Sequence, residues 1–139
     1  MNDIKVASDI VLASFTYDHS PLTALLVRRL QGRAGFSVAI MVDKESFDKA
    51  DAPHERPRLR ELREAGAQIF ICRGTPPFGR MHVKALCIDR RIAYTGSANF
   101  TNKSTSNLEM VMRMVGPPVG DIKAQLADIQ SRGKLWDGA

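Results

Sequence analysis

The sequence predicts an α/β fold: a mixed β-sheet flanked by helices on both faces. Two observations predict it. In the first half, short apolar runs alternate with segments of helical period, which calls for parallel strands joined by crossover helices. In the second half, three apolar runs follow one another with only short connections, which calls for antiparallel pairing and makes the sheet mixed.

Taken in order, residues 10–15 (IVLASF) are apolar almost throughout, as a strand buried on both faces should be. Ser20 is placed to cap the next helix, and Pro21 suits its first turn. Leu22, Leu25, Leu26 and Leu30 share one face of that helix, and Gly32 ends it. Residues 36–42 (FSVAIMV) form a second strand. The polar, proline-bearing stretch 43–57 reads as a loop, and residues 58–66 as a short helix with Leu59 and Leu62 inward and Gly66 at its end. Residues 68–72 (QIFIC) make a third strand. After the loop 73–81 come strands at 82–88, 91–96 and 108–115, and residues 121–133 close the chain as a helix with Ile122, Leu126 and Ile129 on one face. No repeat or low-complexity stretch interrupts 139 residues, so one domain spanning 1–139 is expected.

Composition narrows the function classes. Hydrophobic content of 44% with 25% charged residues suits a globular protein and not a disordered one. Twenty Lys and Arg against 15 Asp and Glu leave a net charge of +5, which suits a polyanion such as nucleic acid or an anionic membrane surface. Cys72 and Cys87 sit in apolar runs, lack the paired spacing of a zinc site and do not call for an oxidising compartment. No metal is expected. The N-terminus has no basic region followed by a long apolar core, so neither a signal peptide nor a membrane anchor is expected. A cytoplasmic setting is favoured, with a secreted or periplasmic one left open to a removed leader.

One conflict stands out against this ordinary background. His82 and Lys84 open an apolar strand where packing alone asks for Val or Ile, and a small polar turn, Gly96-Ser97-Ala98-Asn99, follows soon after. Two residues apart on a strand, His82 and Lys84 project to the same side, so a phosphate can sit between them. Imidazole is a usable nucleophile near neutral pH, and the ammonium offsets the charge of a phosphodiester. Gly96 permits a tight turn, while Ser97 and Asn99 offer a hydroxyl and an amide to phosphoryl oxygens. The bland reading is a half-buried histidine beside a turn that ends a hairpin.

The joint spacing, His82-x-Lys84, four residues, Asp89, six residues, then Gly96-Ser97-x-Asn99, resembles the HKD signature of the phospholipase D superfamily. Asn107 and Glu109 follow where that family carries an Asn-x-Glu pair, and the likeness extends back to Ser14-Phe15-Thr16 and the strand-helix order around it. The resemblance implies a phospholipase D-like domain that uses no cofactor. Its catalytic residues would be His82, Lys84, Ser97, Asn99 and Glu109, with Thr16 and Arg80 joining Lys84, Ser97 and Asn99 in substrate binding. Glu109 is then expected to accept the Nδ1 proton of His82. Asp89, on the opposite strand face from His82, and Gly96 are expected to be structural.

The motif occurs once, whereas the implied reaction needs two histidines, one to attack phosphorus and one to protonate the leaving oxygen. Single-copy members resembling this chain, the small bacterial endonucleases, meet that need by homodimerising. The expectation is therefore a metal-independent phosphodiesterase acting on nucleic acid, DNA ahead of RNA, through a phosphohistidine in a site shared by a homodimer. Arg28, Arg29, Arg33, Arg80, Arg90 and Arg91 would hold phosphates. The arginines and glutamates of residues 55–64 read as a solvated helix face, and His19 and His54 as ordinary loop histidines. Two other readings compete: a phospholipase acting on cardiolipin-like lipids, for which no membrane-entry segment is visible, and a non-catalytic nucleic-acid-binding module.

Overall fold

The computed structural model describes residues 2–32, 34–49, 54–75 and 79–139. Arg33, and positions 50–53 and 76–78 of the two expected loops, lie outside the described residues. The elements run α1 (Asn2–Lys5), β1 (Asp9–Ser14), α2 (Ser20–Gly32), β2 (Ser37–Asp43), α3 (Lys44–Asp48), α4 (Glu55–Glu64) and β3 (Gln68–Cys72). They continue with β4 (Ala85–Ile88), β5 (Ile92–Gly96), a 3-10 turn (Lys103–Ser106), β6 (Val111–Val115), α5 (Pro118–Arg132) and β7 (Lys134–Leu135).

All seven strands share one sheet in the order β6-β5-β4-β1-β2-β3-β7. β1, β2 and β3 are parallel, while β1–β4, β4–β5, β5–β6 and β3–β7 are antiparallel, so the sheet is mixed as its connections require. The strand side chains divide by period two. Ile10, Leu12, Ile40, Ile69, Leu86 and Ile88 face α1, α2 and α4, where Ile4, Leu22, Leu26, Leu59 and Leu62 meet them. Val11, Ala13, Met41, Cys72, Cys87 and Ala93 face the other way, against Val119 and Leu126 of α5. Both cysteines are free and buried, and burial pushes the Cys72 thiol up to about 11. No described helix is long and apolar enough to cross a membrane.

The departures from the expected elements have local causes. α1, α3 and β7 are too short to leave a periodic pattern in the sequence. α4 and α5 start three residues early and carry Pro57 and Pro118 in their first turns, where a missing N–H costs nothing. The strand expected from His82 starts only at Ala85, because its pairing with β1 ends at Ala13↔Ala85. β6 starts at Val111 and not at Leu108. Ser20 does not cap α2: His19 Nδ1 accepts the Leu22 N–H at 3.1 Å.

The helix face at residues 55–64 is also less solvated than its charge pattern suggests. The Arg56 guanidinium packs over the Phe47 ring, and Arg63 Nε donates to the Trp136 carbonyl. Glu55 is buried at 1% exposure, with Oε1 accepting the Tyr17 N–H at 2.9 Å and Oε2 without a hydrogen-bond partner among the described residues. Burial raises its pKa to about 7, with the charges of Asp18 and Asp43 adding to the rise against the Tyr17 N–H and Arg56.

The folded chain therefore keeps a proton on Glu55 that the unfolded chain loses from pH 4.5 upward. Stability should fall as pH rises from about 4.5 to about 7 and then level off. Glu55→Gln keeps an acceptor for Tyr17 but has no charge to bury. Its urea midpoint should lack this fall and exceed the parent's at pH 8 by up to roughly 3 kcal/mol of stability. Parallel pH curves for parent and variant would show that Glu55 is ionised in the fold.

Candidate active site

The site forms where the C-terminal ends of β1 and β2 meet the start of β4 and the end of β5. Ligands gather at such strand ends because the chain leaves the sheet there and frees backbone and side-chain groups. β1 ends on Ser14, fully buried, whose hydroxyl donates to the Thr16 carbonyl and accepts the Phe100 N–H at 3.0 Å. The same oxygen lies 3.4 Å from Asn99 Oδ1, and Tyr17 bridges Phe100 through the backbone. The polar turn after β5 is thus clamped onto the end of β1.

His82 and Lys84 sit in the extended segment before β4 and not within the strand, yet they converge. Lys84 Nζ is 2.9 Å from His82 Nδ1 and donates to the His82 carbonyl at 3.1 Å. The His82 ring is exposed and packs against Phe15, with centroids 4.9 Å apart. Burial lowers the Lys84 pKa from its ordinary value, opposed by the charge of Glu109. Asp43, at the end of β2, fixes the approach to this pair: its buried carboxylate accepts the Met81 N–H at 2.8 Å and the Ser46 N–H at 3.1 Å. These two bonds fix the backbone just before His82.

On the facing side, Ser97 Oγ donates to Glu109 Oε2 and accepts the Met110 N–H at 3.0 Å, and Asn107 Nδ2 reaches Glu109 Oε1 at 3.5 Å. Glu109 therefore bonds Ser97 and not His82, whose Nδ1 faces the Lys84 ammonium. The reason is positional: Glu109 lies two residues before β6, alongside the turn after β5. Gly96 is required by close approach, since a Cβ there would lie 1.9 Å from the Met110 carbonyl oxygen. Asp89 sits at the far end of β4, where its carboxylate accepts the Ser8 and Asp9 N–H groups at 2.8 and 2.7 Å.

Thr16 Oγ1 shares a hydrogen bond with Ser46 at 2.7 Å, and Arg80 is ion-paired with Glu45 at 2.7 Å just before His82. The other expected phosphate contacts among the described residues, Arg28, Arg29, Arg90 and Arg91, do not gather here. Arg90 and Arg91 occupy the β4–β5 turn at the opposite end of the sheet, and Arg28 and Arg29 lie late in α2, with Arg29 donating to the Lys5 and Ala7 carbonyls. Their sequence pattern carries charge but not which end of the sheet that charge occupies. Ser14, Asp43 and His19 join the site from outside the motif, and the sequence signal for Ser14 and Asp43 is that they are the polar residues closing two apolar strands. His54 is exposed and makes no side-chain cap bond to α4. Among the described residues no group of three His, Cys, Asp or Glu could hold a metal ion.

Gly96→Ala should force the β5–β6 junction apart where the Ser97 N–H bonds the Met110 carbonyl at 2.9 Å. We expect a fall in Tm corresponding to at least about 1–3 kcal/mol and faster amide exchange at Ser97. An unchanged Tm would mean that the approach is looser than described.

The family model described as "Cardiolipin synthase, PLD-like domain" matches residues 2–131. A comparison with curated protein sequences gives no match. Among solved structures, Nuc, a phospholipase D family member from Salmonella typhimurium, superposes with a TM-score of 0.83 at 19% identity, covering 97% of this chain and 86% of that one. NucT from Helicobacter pylori gives 0.81 at 18% identity, covering 97% and 87%. Phosphatidylserine synthase from Haemophilus influenzae gives 0.71 at 13% identity, with 97% of this chain matching 35% of that one. At these identities the structures establish the fold, and together with the family match along nearly the whole chain they make this protein a member of the phospholipase D superfamily.

Proposed function

We propose that this chain, acting as one catalytic unit over 1–139, is a metal-independent phosphodiesterase that cuts nucleic acid, DNA ahead of RNA, in an active site shared by two copies. The observation that carries the reading is the convergence of His82 and Lys84 opposite Ser97 and Asn99 at one end of the sheet. In this mechanism the phosphodiester binds with its oxygens on Lys84, Ser97 and Asn99, and with Thr16 and Arg80 at the margin. A phosphoryl oxygen takes the Lys84 ammonium, which releases His82 Nδ1. His82, exposed to solvent, then exchanges its proton through water so that Nδ1 carries it, and the free lone pair of Nε2 attacks phosphorus. Glu109, freed from Ser97 when that hydroxyl turns to the substrate, is the carboxylate assigned to hold Nδ1–H.

As the phosphorus–oxygen bond breaks, the leaving oxygen takes a proton from the partner subunit's His82. Water then attacks the phosphohistidine, giving its proton back to that second imidazole as the P–N bond breaks, so protons balance over the cycle. Each chain carries one such histidine, and the site has an apolar border that favours a second copy. Leu108, Met110, Val111, Met112 and Val115 are exposed on and before β6, the edge strand beside the site. An exposed apolar edge of this kind is a usual place for self-association. A net charge of +5 suits a nucleic-acid substrate.

A lipid phosphodiester is the second reading, favoured by the description of the matching family and by the same apolar edge. The two are separated by assaying plasmid DNA, single-stranded DNA and cardiolipin vesicles side by side in excess chelator, with His82→Ala as control. We expect DNA cleavage that survives chelation and is lost by several orders of magnitude in His82→Ala. Cleavage abolished by chelator and restored by magnesium would sink the mechanism, and turnover of vesicles alone would transfer it to lipid.

The shared site makes a separate prediction. Mixed dimers of one parent and one His82→Ala subunit keep a single histidine and should be nearly inactive. Half of parental activity, with a stable active monomer in sedimentation, would mean that each subunit holds a complete site.

A further inference from the structure

Beside the proposed phosphate site a cavity of about 390 Å³ runs back across β4 and β5 beneath α1 and α2. Lys84 and Asn99 stand at its mouth, and Leu22, Leu86, Ile88 and Phe100 supply much of its wall. This size falls within the range of pockets for small organic groups, about 300–1,000 Å³. At its far end Asp3 is already satisfied, accepting from the Tyr94 hydroxyl and from Arg113 Nε at 3.1 Å.

His19 is one of the polar groups in the wall, and its bonding is incomplete. Its Nδ1 accepts the Leu22 N–H, so in the neutral ring the proton sits on Nε2. Burial lowers its pKa from the ordinary value and so favours the neutral ring, opposed by the charge of Asp18. Nε2–H has no hydrogen-bond partner among the described residues, so His19 adds an open donor to a wall that also carries Tyr94, Thr95, Asn99 and Ser104 beside its apolar side chains.

We propose that this cavity receives an unpaired nucleobase attached next to the scissile phosphate, with Phe100 as an aromatic wall and His19 Nε2–H donating to a ring nitrogen or carbonyl oxygen of the base. The inference rests on the nucleic-acid reading and deepens it. Lys84 is the only Lys or Arg among the described residues lining the cavity, so the charged backbone stays at the mouth while an uncharged group enters. Whatever is joined to a phosphate on Lys84 and Asn99 is within reach of the opening. An acyl chain would fill the apolar volume but leave the His19 donor buried and unpaired, at a cost of about 1–3 kcal/mol. A base satisfies both the wall and the donor. Because a base can enter only when unstacked and unpaired, single strands become the preferred substrate over duplex.

The test uses the full chain and a 5′-labelled single-stranded oligonucleotide containing one abasic residue. Cleavage at the phosphates flanking that residue should be about tenfold slower than at the same positions in the intact strand. His19→Asn retains an acceptor for the α2 N-terminus and removes the ring N–H. It should raise KM on the intact strand about tenfold with little change in kcat, while cleavage at the abasic phosphates matches the parent. Equal cleavage at abasic and intact positions overturns the cavity assignment and leaves the nuclease reading standing. Cleavage at no phosphate overturns both, as does hydrolysis of cardiolipin vesicles that weakens in His19→Asn.

Discussion

The antiparallel pairing of β4 with β1 is the constraint on which the rest of the site depends. β1 runs parallel to β2 on one side and antiparallel to β4 on the other, with Ala13 opposite Ala85 at the last rung. That register brings the start of β4 to the end of β1. The segment carrying His82 and Lys84 therefore arrives where Ser14 closes its strand and where β2 delivers Asp43. A slip of one residue would turn the alternating side chains of β4 to the wrong faces and carry Lys84 away from the turn at Asn99.

Buried polar groups then convert proximity into fixed geometry. Ser14 ties β1 to Phe100, Asp43 holds the Met81 backbone, and Glu55 holds the Tyr17 backbone that bridges Phe100. Each carries a desolvation cost that an apolar residue would avoid. Glu55 carries the largest visible one, since its second oxygen is unpartnered and its proton is retained to about pH 7. The groups they position are in contrast open to solvent: His82, Ser97 and Glu109 are exposed. A rigid buried frame around an accessible nucleophile is the arrangement that the proposed chemistry needs, because the reacting groups must meet a substrate without reorganising the frame.

Arg28, Arg29, Arg90 and Arg91 lie at the end away from His82, whereas Leu108, Met110 and Val111, exposed before and at the start of β6, border the site. In the proposed dimer the apolar edge would be covered, and positive charge beside the reacting phosphate comes from Lys84 with Arg80, itself paired to Glu45.

Much of the fold and of the candidate site was legible in the residues. Apolar runs at 10–15, 36–42 and 68–72 specified buried strands because no face of them is polar, and Leu22, Leu26, Leu59 and Leu62 specified helix faces by their spacing. The spacing of His82, Lys84, Gly96 and Asn99 marked residues that the fold gathers: His82 bonds Lys84, and Lys84, Gly96 and Asn99 line one cavity. The sequence by itself determined these types and intervals, because local periodicity and turn chemistry act over a few residues. Only the tertiary structure decided that His82 precedes its strand, that Glu109 bonds Ser97, that Glu55 is buried in a helix of alternating charge, and that the arginines sit at the far end. Those outcomes follow from contacts between residues dozens of positions apart, and a linear pattern carries no distance across the fold.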